Sequence, residues 1–180
     1  MKKEIILKGN GFTLRLFKKS DYISMAKNAN DKEIAKNTRN GFPSPYTEKD
    51  AKEWIANVLK SYKNSIPTSF IIDVDGKALG TIGGSTRKNK PFIMSFGYWL
   101  GRKYWRKGIT TEATKLFVNY VFKNCKNIVR IEAGAFLWNL GSRKVLERNG
   151  FKLEGISRKA YLKNGKIIDN YVFSKLRNER

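Results

Sequence analysis

Apolar and polar residues alternate over Phe12–Phe17, so that stretch is predicted to be a strand with Phe12, Leu14 and Leu16 on one face. Ser20 and Asp21 have the character of helix-entry residues, and a helical stretch is expected to run to about Asn30. A second short helix is expected from Lys32 to Asn37. Pro43, Pro45 and Gly41 mark Gly41–Tyr46 as a loop. Thr47 then serves as an N-cap with Asp50 three residues on, and the helix it opens places Trp54, Ile55, Val58, Leu59 and Tyr62 on one face. Strands at Thr68–Val74 and Lys77–Thr86 flank Asp75-Gly76, a two-residue hairpin signal. Phe92–Leu100 is the next strand.

In Thr110–Asn124, residues Ala113, Leu116, Phe117, Tyr120 and Val121 recur at the i, i+3, i+4, i+7 and i+8 positions of a helix buried on one side. Ile128–Phe136 is expected to be a buried strand with Val129, Ile131, Ala133 and Ala135 on one face. A short helix spans Asn139–Asn149. Gly150 suits the left-handed position that ends it, and Phe151 the contact that follows. Two strands around Asn164-Gly165 complete the order β α α α β β β α β α β β. The fold class is α+β, with helices on the faces of one sheet.

Composition sharpens the picture. The 180 residues include no histidine and one cysteine, which excludes histidine triads, disulfide frameworks and imidazole or thiolate metal sites. Hydrophobic residues make up 41%, enough for a buried core, and without linker or repeat the chain 1–180 reads as one domain. Met1–Lys8 holds only three consecutive apolar residues, too short for a signal peptide. No apolar run approaches the ~18–20 residues of a membrane span. With a lone thiol, Cys125, read as a packing residue near a helix end, these features lead us to expect a soluble cytoplasmic protein without membrane association.

The formal net charge is +22. Such a field attracts polyanions, ribosomes and phosphate-bearing cofactors, although lysines scattered as surface composition would give the same total.

Chemistry concentrates in Phe96–Ala113, where a strand end leads through Gly101-Arg102-Lys103-Tyr104-Trp105-Arg106-Lys107-Gly108 into a helix. Free N–H groups of a first helical turn, the helix dipole and four nearby cations together make an anion cradle. Gly108 lets a ligand approach the backbone. A basic turn capped by Thr110 or Thr111 is the structural alternative. Further on, Asn139 is a natural N-cap, and Ser142 lies one turn later on the same side, so both polar groups can face one cleft.

Taken together, Tyr98-Trp99-Leu100, Tyr104-Trp105-x-Lys107-Gly108-Ile109-x-Thr111-Glu112-Ala113, Asn139-x-x-Ser142-x-x-x-Leu146-Glu147-x-x-Gly150-Phe151 and Leu153-Glu154-Gly155 resemble the GNAT superfamily of acetyl-CoA-dependent N-acetyltransferases. The likeness is to its RimJ/RimL-type branch, which acetylates protein N-termini. The resemblance implies a mixed, mostly antiparallel sheet of about seven strands with a splayed central pair, Phe92–Leu100 and Ile128–Phe136. It implies acetyl-CoA as cosubstrate, without a metal. Its pantetheine arm would lie against backbone at Trp99 and Leu100. Its diphosphate would be wrapped by Trp105, Arg106, Lys107, Gly108, Ile109, Thr110 and Thr111, with Asn139 and Ser142 near the thioester.

This sequence departs from the family at Arg106, where glycine is usual and where an arginine fits readily with φ below zero. It departs also at Thr110, usually glycine or alanine. Ser95 stands where an acidic base often occurs, and Leu146 where some relatives carry a tyrosine acid. The reaction the resemblance implies is direct acyl transfer to a neutral amine. Ser142 is the candidate general acid, or else a capping-turn hydroxyl. Glu132 is the candidate base, or else a structural ion-pair partner of Arg15 or of residues around Arg130. An α-amine titrating near ~8 needs less help than a lysine near ~10.4, so a weak base favours an N-terminal acceptor. Asp21, Asp31, Glu33, Glu48, Asp50 and Glu53 fall in the region that shapes the acceptor side, where they would draw a cationic peptide while the remaining surface favours a ribosome. A small amine, such as an antibiotic or polyamine, is the alternative acceptor. A ribosome- or nucleic-acid-binding module using the aromatic-basic loop Arg102–Lys107 is the non-enzymatic alternative. Oligomeric state is left open.

Overall fold

A computed structural model describes residues 5–63 and 65–179. Met1–Glu4, part of the segment read for a leader, lie outside them. One sheet of eight strands organises the described residues, in the order β1-β2-β3-β4-β5-β6-β8-β7. The strands are β1 (Ile6–Gly9), β2 (Phe12–Arg15), β3 (Ser69–Val74), β4 (Lys77–Arg87), β5 (Lys90–Leu100), β6 (Arg130–Phe136), β7 (Lys152–Lys163) and β8 (Lys166–Leu176). The helices are α1 (Tyr22–Ala29), α2 (Lys32–Asn37), α3 (Glu48–Ser61), α4 (Ile109–Asn124) and α5 (Leu140–Arg148). The mixed α+β architecture expected is present. The strand beyond the expected seven or so is β1, too short to stand out by alternation.

Local signals set the element ends. Thr47 and Asp50 cap α3 reciprocally, as their spacing predicts. Asp75 and Gly76 both take positive φ, as do Asn164 and Gly165, which matches each tight turn to the twist of its hairpin. At the end of α5, Gly150 has φ +74, Phe151 N–H donates to Leu146 O at 3.1 Å and Gly150 N–H to Glu147 O at 3.0 Å. That bond pair is the Schellman motif, and it delivers Phe151 into the core.

Two apolar layers cover the sheet. On one face α4 and α5 bury Phe70, Phe96, Phe117, Ile131, Leu146 and Phe173. On the other, α1 and α3 enclose Met25, Ala51, Ile55, Ile71 and Tyr62. Two expected stripe members are absent from these layers. Trp54 is 51% exposed and the α3 stripe instead includes Ala51, while Val129, 48% exposed, precedes β6. Strand β2 carries the buried Arg15, which donates to Asp21 (2.7 and 2.8 Å) and Asp73 (2.8 Å). Removing that guanidinium would strand two buried carboxylates, at a cost of about 3–5 kcal/mol. Among the described residues, no helix is long and apolar enough to cross a membrane.

Alone among the strand pairs, β5 and β6 run parallel. Their register covers only Ile93–Arg130, Met94–Ile131 and Ser95–Glu132. Beyond Ser95 the two strands part. Strand β5 continues beside β4 to Leu100, and β6 beside β8 to Phe136. The result is a V-shaped gap through the middle of the sheet, with the α4/α5 layer on one side and the α1–α3 layer on the other.

Candidate active site

Side chains alternate along β5, and the two layers show which way each points. Met94, Phe96 and Leu100 join the α4/α5 core, with Tyr98 packed against it. Trp99 packs into the α1–α3 layer, where its ring lies 5.9 Å from Phe42 and 6.5 Å from Tyr46. The V therefore has two mouths of different character. One is bounded by Tyr98, α4 and α5, the other by Trp99 and the loop before α3.

At the first mouth, α4 begins at Ile109 with Gly108 as N-cap and no side-chain cap. Gly108 has φ +78, which excludes most side chains, and the space where a Cβ would project is open for 4 Å. Among the described residues, the amides from Arg106 to Thr111 donate to no protein acceptor. Six free donors at the positive end of a 16-residue helix are the arrangement that suits an anion. Arg106, Lys107 and Gly108 are exposed, with Ile109, Thr110 and Thr111 half-buried behind them. Neither Thr110 nor Thr111 caps the helix, so the structural alternative of a self-capped basic turn is not what forms.

Arg106 has φ +61. The negative φ under which an arginine fits readily is not adopted; the chain keeps the left-handed turn that suits the family's glycine and places Arg106 in it, at a strain of about 1 kcal/mol. Trp105 turns inward, its indole N–H donating to Leu100 O at 2.6 Å. That bond fastens the loop to the end of β5, and it takes up one lone pair of a carbonyl expected to face the pantetheine. Trp105 is thus a brace, not a base-stacking platform. Tyr104 lies beneath Lys103 and Lys107, at 5.0 and 5.7 Å from its ring centre.

Asn139 caps α5, its Oδ1 accepting from Ser142 N–H at 3.0 Å. The capping role read from sequence is therefore real, and it orients Ser142. The Ser142 hydroxyl lies 2.9 Å from the hydroxyl of Tyr98 across the V. Burial pushes the Tyr98 phenol up to about 12, with the bond to Ser142 opposing it. The sequence shows the alternation of Tyr98 toward α5 but not its partner 44 residues away, so its side chain does not stand out there as a site candidate. Leu146, at the position of some relatives' tyrosine, is fully buried core.

Glu132 projects on the opposite face, in the same rung as Ser95, which holds the family's usual base position. It accepts from Arg130 Nε at 2.8 Å. Arg130 also grips Glu154, which Ser174 supports with a hydroxyl donated at 2.8 Å. The Arg130 guanidinium holds the Glu154 carboxyl down at about 2. Arg15 is occupied elsewhere, so the structural partner of Glu132 is Arg130 itself.

Of the six acidic residues expected to shape the acceptor side, four are committed elsewhere. Asp21 is consumed by Arg15, Asp31 caps α2 by accepting from Glu33 N–H, and Asp50 caps α3. Glu48 lies 3.9 Å from Lys52 on an exposed face. Instead, clefts beside the second mouth are lined by lysines.

A profile of the acetyltransferase (GNAT) domain family matches residues 12–152. The chain belongs to the GNAT acetyltransferase family. It is 48% identical over 78 residues to the probable N-acetyltransferase YjcK of Bacillus subtilis, covering 43% of this chain and 42% of that protein. It is 34% identical over 111 residues to the uncharacterized N-acetyltransferase p20 of Bacillus licheniformis, covering 62% of each. These matches span less than two thirds of either relative. The crystal structure of a ribosomal-protein-S5-alanine acetyltransferase from Vibrio fischeri superposes with a TM-score of 0.83 at 27% identity, covering 97% of this GNAT chain and 98% of that one.

Proposed function

We propose that this GNAT protein is an acetyl-CoA-dependent N-acetyltransferase whose acceptor is the α-amine of a protein N-terminus. One observation carries the reading: six unpaired amides at the α4 N-terminus stand beside a gap that opens in the sheet immediately past Ser95. A diphosphate suits the first and an extended pantetheine the second, which gains backbone partners on the free edge of β5. Acetyl-CoA supplies an acetyl group activated as a thioester.

The chain's own groups divide the proton work between the two faces of the V. Glu132, on the acceptor face, holds a proton taken from the attacking amine through water. Arg130 fixes the position of that carboxylate. Because an α-amine titrates near ~8, a modest base suffices. On the cofactor face Ser142 Oγ, held by the Asn139 cap and bonded to Tyr98, holds the proton that a leaving sulfur requires. The free amides ahead of α4 position the diphosphate end of the cosubstrate without reorganisation during the reaction.

The Vibrio fischeri protein's likeness over nearly its whole length supports an N-terminal acceptor. Thermal stabilisation by acetyl-CoA, followed by thiol release measured across N-terminal peptides and free amines, tests the reading. Turnover with peptides exceeding that with spermidine and aminoglycosides is the expected result; the reverse order overturns the acceptor assignment. Association with ribosomes through the +22 charge is part of the same reading, and it should weaken steeply with salt.

A further inference from the structure

Two adjoining clefts, of about 650 and 280 Å³, lie where α2, the loop before α3 and the β7–β8 hairpin meet. Lys36 and Lys163 line both, Lys32 lines the larger and Lys166 the smaller. Each cleft touches one wall of the V. Phe42 lines the larger and packs on Trp99 of β5, while Trp138 lines the smaller and packs on Phe136 of β6, 5.0 Å between ring centres. The lysines therefore ring the exit of the acceptor mouth.

Lys163 is the informative member. It is 7% exposed, and its ammonium donates to Ala35 O and Thr38 O, both at 2.7 Å, at the end of α2. Among the described residues no carboxylate pairs with Lys163, Lys32, Lys166 or the neighbouring Arg39; Lys36 alone reaches one, Glu33, at 3.9 Å on an exposed face. Buried ammonium groups are normally balanced by an opposite charge. Here two carbonyls accept two of the three ammonium hydrogens, and among the described residues no carboxylate balances the charge. The loop is held across the cleft by Arg39, which donates to Tyr161 Oη at 3.2 Å, and by Asn40, which donates to Leu162 O at 2.8 Å. The cleft is therefore built and braced.

Resting on the proposed N-terminal acceptor, we infer that the substrate is an acidic N-terminal segment, whose carboxylate side chains just after the α-amine dock in the Lys32–Lys36–Lys163–Lys166 cleft. This reverses the cationic tail expected from sequence. Carboxylates entering this mouth meet four ammonium groups in a partly desolvated space, whereas a basic tail or polyamine is repelled.

The test uses the full chain and fluorescein-labelled peptides Ser-Glu-Asp-Glu and Ser-Gln-Asn-Gln, with binding measured by anisotropy in saturating CoA and acetylation by thiol release. The acidic peptide should bind at least tenfold more tightly, with an advantage that shrinks as salt rises. The exposed pair Lys36→Gln and Lys166→Gln should erase most of that advantage while leaving acetyl-CoA affinity and the neutral peptide's rate unchanged. Equal binding of the two peptides, or an advantage untouched by the double variant, overturns the inference. So does faster acetylation of free glutamate than of the acidic peptide, which would assign the cleft to a small anionic amine. Failure of acetyl-CoA itself to bind is a separate result, and it overturns the functional reading beneath.

Discussion

The hydroxyls of Tyr98 and Ser142 lie 2.9 Å apart, joining the splayed strand β5 to the first turn of α5. Neither residue makes a general acid by itself, since each hydroxyl is weakly acidic. Under the proposed function the pair acts as a two-member relay at the cofactor face, anchored by the Asn139 cap on one side and by burial on the other.

Ser142→Ala should lower kcat by about a hundredfold with little change in the KM for acetyl-CoA, and Tyr98→Phe by a smaller factor. The double variant should be no worse than Ser142→Ala, because residues acting as a unit are not additive. With its phenol raised to about 12, Tyr98 stays protonated through the working range, so it contributes no alkaline fall in rate below about pH 10. Steady-state pH profiles of both variants check this; additive losses would separate the two residues.

Glu132→Gln should reduce kcat/KM for an N-terminal peptide by about tenfold at pH 7. The deficit should close toward pH 9, where the α-amine is already neutral. A deficit independent of pH would restrict Glu132 to its ion pair with Arg130.

Glu154 tests the ion-pair network in stability rather than rate. Its carboxyl is lowered to about 2 by Arg130, so its contribution is fully present above the ordinary carboxylate range near 4.5. That contribution is lost as pH falls from there toward 2. The side chain is 39% exposed, and solvent screening limits its worth to about 1 kcal/mol. The stability gap between the wild type and Glu154→Gln, from urea melts, should be constant from pH 5 to 8 and shrink below pH 4.5.

Arg106→Gly should stabilise the protein by about 1 kcal/mol by relieving a left-handed arginine, while Arg106→Ala, which keeps the strain, should not. Paired thermal melts at one pH and salt concentration compare them. Equal effects of glycine and alanine would assign any gain to lost charge repulsion within the loop.

What could be read from sequence was what neighbours in the chain decide. The Thr47–Asp50 box, the two hairpin turns, the end of α5 at Gly150 and the uncapped start of α4 at Ile109 are all encoded within a few residues of where they form. What escaped is encoded by pairing at a distance. Lys163 meets α2 128 residues upstream, Tyr98 meets Ser142 44 residues downstream, and Glu132 lies beside Ser95 only because two strands share three rungs. The same reason applies to the acidic residues around α1–α3: their count is visible in the sequence, but the commitment of Asp21 to Arg15 and of Asp31 and Asp50 to caps is not. Arg106 shows a further limit, since a turn imposed by the fold overrode the preference of its residue.

The central claim is that main-chain donors ahead of α4 hold the cosubstrate. Titration calorimetry of the full chain with acetyl-CoA, repeated on Gly108→Lys, tests it most directly. A saturable one-to-one heat for the wild type, weakened at least tenfold in a variant that still melts cooperatively, is the predicted result. Absence of heat from the wild type, or equal affinity in the folded variant, would contradict it.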